Sequence, residues 1–262
     1  GYDFAEQSPE IYHGVSDFNS SEGVKSKIGL NYSERFGYIL SDFAAKNKHI
    51  CAVTAAMTLG TGLEVFSNQF PERFYDVGIA EEHAVTFCSG LAAGGMIPVF
   101  AVYSTFLQRA LDQLIHDGAL QRRKMIIAVD RAGFVGEDGE THQGIFDVSM
   151  VQSIPLTTVY SPATYRDLSK SLYKALYKDE NLIIIRYPRG SMDERFADVS
   201  DGEDAEIFFD ETAELTLVTY GREFFECYDA AARAAENGLR IKLIKLNKIK
   251  PIPSEALGAA FD

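Results

Sequence analysis

Short apolar runs rich in Val and Ile recur along this chain, and the segments between them are amphipathic. The runs at residues 49–55, 74–79, 97–103, 125–130, 156–160 and 181–187 show little polar alternation, as strands covered on both faces do. Between them, residues 31–47, 104–121, 163–177 and a stretch opening at Glu81 carry helical patterns. The first places Phe36, Ile39, Leu40, Phe43 and Ala44 on one face, with Asn31 as its cap. Strands alternating with helices predict an α/β fold, a parallel sheet with helices on both faces.

Composition marks the boundaries. Residues 1–27 show neither period and mix Pro9, Gly14, Asn19, Ser20, Ser21 and Gly23, which predicts an extended arm or linker. A first domain then covers residues 28–192. Residues 193–212 are strongly acidic and read as a linker with one edge strand at 207–209. Residues 213–262 open a second α/β unit with a strand at 215–220, a helix at 224–237 and a strand at 241–246. One strand–helix–strand unit cannot bury both faces alone, so this second domain is expected to be partial.

A net charge of -13 argues against a nucleic-acid backbone as partner, because phosphate binding wants clustered Lys and Arg. Residues 84–108 carry no charge, yet Gly94-Gly95, Pro98 and several hydroxyl residues interrupt them. They read as a buried helix and a buried strand rather than a membrane span. The five histidines have no metal-ligand spacing, so no metal site is predicted. The three cysteines are widely spaced; Cys51 and Cys88 read as reduced core residues, which with no signal peptide fits the cytoplasm. A first residue of Gly1 rather than Met suggests a fragment.

Candidate chemistry collects at strand ends, where open α/β sheets bind ligands. Glu81, Glu82 and His83 follow the run ending near Val77; a carboxylate at the mouth of so apolar a segment is costly unless paired. Tyr103, Phe106 and Arg109 follow the next run, and Arg131 opens a glycine-spaced loop holding Asp138 and His142. Arg186 and Arg189 follow a fourth. Taken singly, each has a plain structural reading. Glu81 would complement a helix dipole, the aromatics would pack, His142 would sit in a solvated turn, and the arginines would form surface ion pairs. The functional reading rests on their convergence at one rim.

These segments also carry a resemblance. Asp76-Val77-Gly78-Ile79-Ala80-Glu81, Tyr103-Ser104-Thr105-Phe106-Leu107-Gln108-Arg109, Asp130-Arg131-Ala132-Gly133 through Thr141-His142-Gln143-Gly144, and Arg186-Tyr187-Pro188-Arg189-Gly190 occur in this order. Together they resemble the 1-deoxy-D-xylulose-5-phosphate synthases, transketolase-like thiamin diphosphate enzymes, over the whole chain. The resemblance implies a thiamin diphosphate-binding pyrimidine domain of transketolase type, followed by the start of a transketolase C-terminal domain. It makes Glu81 the proton partner of the cofactor's aminopyrimidine, flanked by Phe106 and Tyr103 and contacted by Tyr2. His142 would move protons on substrate oxygens, and Asp138 would orient its loop. Arg131 and Arg189, helped by Arg109 and Tyr103, would hold the substrate and its phosphate. The implied reaction decarboxylates pyruvate and joins the two-carbon unit to glyceraldehyde 3-phosphate.

The family's Gly-Asp-Gly and Asn metal signature does not occur in this sequence. Ligands for Mg2+ and the diphosphate are therefore expected in a preceding domain missing here. The resemblance further implies a homodimer in the bacterial cytoplasm, or in a plastid. Three alternatives stay open: a transketolase, which shares Gly-Glu-Asp-Gly followed by Thr-His-Gln; a 2-oxo acid dehydrogenase beta-type subunit, which would lack that loop; and a non-catalytic fragment or scaffold.

Overall fold

The computed structural model describes residues 1–9, 11, 12, 15, 18–24, 30–209 and 213–261. The chain divides into two compact units, Gly1–Leu30 and Asn31–Asp262. The first shows no period in sequence, yet Asp3–Gln7 form a short helix, α1. Its order comes from aromatic packing: the Tyr2 ring meets those of Phe4, Tyr12 and Phe18, and its hydroxyl donates to the Ser20 carbonyl at 2.9 Å.

The second unit opens with α2 (Tyr32–Lys46). Asn31 caps it through a reciprocal box, accepting from the Glu34 amide at 2.9 Å while the Glu34 carboxylate accepts from the Asn31 amide. There follow β1 (Ile50–Thr54), α3 (Glu64–Gln69), β2 (Phe74–Asp76), α4 (Glu81–Ala93) and β3 (Ile97–Tyr103). The long helix expected at 104–121 is broken. It runs as α5 (Ser104–Leu107), a 3-10 turn at Gln108–Ala110, α6 (Leu111–Gln113) and a π-helical turn at Leu114–Ala119. Beyond it come β4 (Met125–Asp130), α7 (Asp147–Gln152), β5 (Thr157–Tyr160), α8 (Tyr165–Tyr177) and β6 (Leu182–Arg186).

These six strands and β10 (Lys248–Lys250) form a seven-stranded sheet in the order β10-β5-β6-β4-β3-β1-β2, parallel except at the β10 edge. Neighbouring residues of a strand serve opposite faces, as the pleat requires. Phe100, Val102, Ile127 and Val129 pack with Ala84, Val85 and Cys88 of α4 and with Leu107 and Leu114. Val99, Ala101, Ile126 and Ala128 pack with Phe36 and Leu40 of α2 and Leu168 and Leu172 of α8. Cys51 and Cys88 are free and buried in these layers. The uncharged stretch differs from expectation in one respect. Only one face of α4 is buried, and Glu82, His83, Thr86, Gly90 and Ala93 are exposed.

Residues 193–209 hold a 3-10 turn at Glu194–Phe196, with Phe196 buried, and β7 (Ala205–Phe208). After β8 (Leu215–Tyr220), α9 (Glu223–Glu236) and β9 (Ile241–Leu246), a second sheet forms in the order β7-β9-β8. The chain then returns to the first sheet, where β10 (Lys248–Lys250) pairs antiparallel with β5. Helix α10 (Ser254–Phe261) follows. The returning edge strand escapes sequence reading because Lys248-Ile249-Lys250 holds a single apolar residue. Among the described residues no helix is long and apolar enough to cross a membrane.

Candidate active site

Parallel pairing of β1, β3, β4 and β6 brings their carboxyl ends to one rim. Tyr103 pairs with Asp130 across β3 and β4, and Val129 pairs with Arg186 across β4 and β6. The loops leaving these three strands therefore start side by side.

Asp76 ends β2 and shapes the entry to α4. Its Oδ1 accepts from the Ala56 and Gly78 amides at 2.8 and 3.0 Å, and its Oδ2 from the Thr58 hydroxyl at 3.0 Å. The turn delivers Glu81 as the first residue of α4, where the helix's unpaired amides favour a negative charge. The adjacent acids then separate: Glu81 is only 2% exposed, whereas Glu82 faces solvent. Glu81 Oε1 accepts from Arg109 Nη1 at 2.6 Å, and among the described residues Oε2 has no hydrogen bond. Arg109 sits in the 3-10 turn that interrupts the expected helix, and its guanidinium lies 4.7 Å from the centre of the Phe106 ring.

Phe106 joins the two ends of the rim. Its ring stacks on Tyr103 with centroids 5.8 Å apart and takes the His142 ring edge-on at 5.5 Å. His142 Nδ1 lies 2.9 Å from the Thr141 hydroxyl, and the Thr141 carbonyl accepts from the Thr105 hydroxyl at 3.1 Å. Burial pushes the Tyr103 phenol up to about 12, with the Arg131 guanidinium pulling the other way. That guanidinium lies 3.6 Å from the Tyr103 ring centre.

Arg131 has a left-handed backbone, with φ of 60°. Its Nε donates to Asp138 Oδ2 at 2.8 Å and its Nη1 to the Gly60 carbonyl at 2.9 Å. Asp130 Oδ2 lies 3.5 Å from the same Nη1. Arg189 Nε lies 2.8 Å from Asp138 Oδ1, so one carboxylate serves both arginines.

A continuous path of contacts thus runs Glu81, Arg109, Phe106, then His142 and Tyr103, and on through Arg131 and Asp138 to Arg189. Of the residues expected at the site, only Tyr2 lies in the other unit. Two contributors escape sequence reading. Gly60, in a weak Gly-Thr-Gly signal, accepts from Arg131, and a Cβ there would fall 1.7 Å from the Tyr103 hydroxyl. Asp130 is fully buried, with the Arg131 guanidinium 3.5 Å from its Oδ2. Both depend on distant packing. A separate polar cleft, lined by Tyr32, Met192, Arg195, Arg222 and Asp229 among others, takes none of the site residues.

Among the described residues no cluster of three or more His, Cys, Asp or Glu could hold a metal ion. For an aminopyrimidine, the side chains present do fit. A buried carboxylate keeps one oxygen without a hydrogen bond, and stacked aromatic rings stand beside its arginine partner.

Comparison with known proteins agrees with this fold. Residues 29–194 match the transketolase pyrimidine binding domain, and residues 205–261 the transketolase C-terminal domain. The chain is 45% identical over 262 residues to the 1-deoxy-D-xylulose-5-phosphate synthase of Symbiobacterium thermophilum, covering 98% of this chain and 40% of that protein. It is 41% identical over 264 residues to the Clostridium tetani protein of the same name, covering 100% of this chain and 43% of the other. The chain therefore spans about two fifths of the length of these curated relatives. Among solved structures, a split-gene transketolase described as an inactive beta4 tetramer superposes with a TM-score of 0.78 at 26% identity, over 88% of this chain and 76% of that one. A Pichia stipitis transketolase shares the fold, with a TM-score of 0.74 at 16% identity over 94% of this chain and 40% of its own. The chain belongs to the transketolase family.

Proposed function

We propose that this chain carries the pyrimidine-side half of a thiamin diphosphate site in a 1-deoxy-D-xylulose-5-phosphate synthase. The observation that carries the proposal is the unbroken path from buried Glu81 to the Arg131–Asp138–Arg189 cluster. It puts a candidate cofactor acid and a candidate phosphate grip on one rim. Relatives of that name at 41–45% identity support the choice of reaction.

Thiamin diphosphate, when bound, would supply the nucleophilic carbon and the electron sink that decarboxylation of a 2-oxo acid needs. The chain's residues do the rest. Glu81 exchanges a proton with a ring nitrogen of the aminopyrimidine through Oε2, the oxygen Arg109 leaves open. Phe106 and Tyr103 form the aromatic wall beside it. His142, edge-on to Phe106, gives and takes protons at substrate oxygens. Arg131 and Arg189 receive the phosphate of glyceraldehyde 3-phosphate, which a guanidinium fork suits. Arg109 can join them by swinging off Glu81, since its side chain is 45% exposed. Tyr2 is assigned to the cofactor by the same reading.

The diphosphate and Mg2+ ligands belong, on this reading, to residues beyond this chain's described site. The assembled enzyme is proposed to be a homodimer in the bacterial cytoplasm. The division into residues 1–27, 28–192, 193–212 and 213–262 is part of the same proposal. The split-gene transketolase likeness favours a second reading, in which this chain is one subunit of a two-chain transketolase. The test is to join the chain with a diphosphate-binding domain from a homologous synthase and identify the product by mass spectrometry. Pyruvate and glyceraldehyde 3-phosphate should yield 1-deoxyxylulose 5-phosphate. Product only from a ketose phosphate donor would contradict the synthase and support the transketolase.

A further inference from the structure

The loop carrying Asp138 and His142 is closed at its neck, where Gly133 and Gly144 exchange two backbone hydrogen bonds of 2.8 Å. At its tip, the Asp138 carboxylate already lies against both arginines assigned to phosphate, at 2.8 Å from each Nε. Arg131 has a second carboxylate partner, Asp130, at 3.5 Å. The two acids differ in freedom. Asp130 is fully buried at the end of a central strand. Asp138 ends the 3-10 turn Gly136–Asp138 and is followed by Gly139 at φ of 80°. Its side chain is 17% exposed and that of Arg189 is 30% exposed, so water can replace either partner.

We propose that Asp138 is a built-in stand-in for the substrate phosphate, holding Arg131 and Arg189 together until an arriving phosphate displaces it. The inference rests on the reading that these arginines bind phosphate. Two arginines and two acids are balanced in charge. A phosphate dianion placed beside Asp138 would meet a carboxylate in the same cradle, and like charges at that range repel strongly. The phosphate and Asp138 therefore exclude one another, and the acid on the loop is the one that leaves. The Thr105 hydroxyl holds the Thr141 carbonyl, so the displacement is confined to the tip while His142 stays beside Phe106. Phosphate arrival would open the tip over a site whose acid–base group is already in place.

Inorganic phosphate is the probe, titrated into the full chain by calorimetry for wild type and Asp138→Asn. The variant keeps the side-chain shape but loses the competing charge, and it should bind phosphate about tenfold more tightly. A merely structural role for Asp138 predicts the reverse, since disordering the arginines weakens binding. Hydrogen exchange on the wild type gives an independent reading. The Asp138 and Gly139 amides bond within the loop and should exchange faster when phosphate is bound. Equal or weaker binding by Asp138→Asn would overturn the proposal. So would unchanged or slower exchange in a phosphate-bound wild type, which decides the matter if the variant does not fold. If phosphate binds neither folded protein, the assignment of Arg131 and Arg189 falls first and takes this inference with it.

Discussion

Asp130 is an acid that burial moves well out of the ordinary carboxylate range. Burial lifts its carboxyl from 3.8 to about 6, and the Arg131 guanidinium offsets only part of that rise. Between those two values the folded chain holds a proton that the unfolded chain has released, so folding stability falls as pH rises through this window. The shift corresponds to about 3 kcal/mol. Asp130→Asn removes that dependence: its stability relative to wild type should climb by up to about 3 kcal/mol between pH ~4 and ~7 in urea unfolding. Parallel pH profiles would contradict the assignment. Asp130 is visible in the sequence as part of Asp-Arg-Ala-Gly, but its burial is not. Tyr103, its strand partner, and Tyr187, whose phenol its charge helps push up, stand well apart from it in sequence. Glu81 was more legible, because an acid opening an uncharged helix stands out locally. That Glu82 beside it faces solvent follows from helix phase, which a charge pair alone does not reveal.

Among the elements, α2 matters to the site without touching it. Gly37 lies in its buried face, and a Cβ there would come within 1.8 Å of the Gly62 carbonyl oxygen. That close crossing seats the 60–62 loop, whose Gly60 supports both Arg131 and Tyr103. In an exposed helix, Gly to Ala would stabilise by up to about 1 kcal/mol. Here Gly37→Ala should destabilise by roughly 1–3 kcal/mol, because backbone must move to relieve the clash. It should also weaken whatever Arg131 binds. Thermal unfolding checks the first effect, and a stabilised variant would refute the crossing. Long apolar runs locate their elements directly. The expected strands at 97–103, 125–130, 215–220 and 241–246 match β3, β4, β8 and β9. Long-range contacts decide elsewhere: the helix after Tyr103 breaks at the turn that carries Arg109 to Glu81.

At the scale of the whole molecule, a buried ionic group ties the second sheet to the first. Lys245 of β9 and Asp167 of α8 are both fully buried, with Nζ 2.9 Å from Asp167 Oδ2 and 3.0 Å from Glu206 Oε2. The Ser200 hydroxyl bonds both Lys245 and Asp167. Replacing Lys245 by Met leaves Asp167 without its cation and should cost about 3–5 kcal/mol. The loss should appear in denaturant unfolding, and a variant as stable as wild type would show that the group does not join the sheets. None of this group could be read from sequence, since its members are spread from α8 to β9. The proposed site depends most on Glu81, the first residue of α4. Its most direct test is carbon dioxide release from pyruvate by the chain joined to a homologous diphosphate-binding domain, comparing wild type with Glu81→Gln. Wild type should release carbon dioxide in a manner requiring glyceraldehyde 3-phosphate, and the folded variant should be slower by about 10²–10⁴-fold. A folded Glu81→Gln protein that matches wild type would contradict the claim.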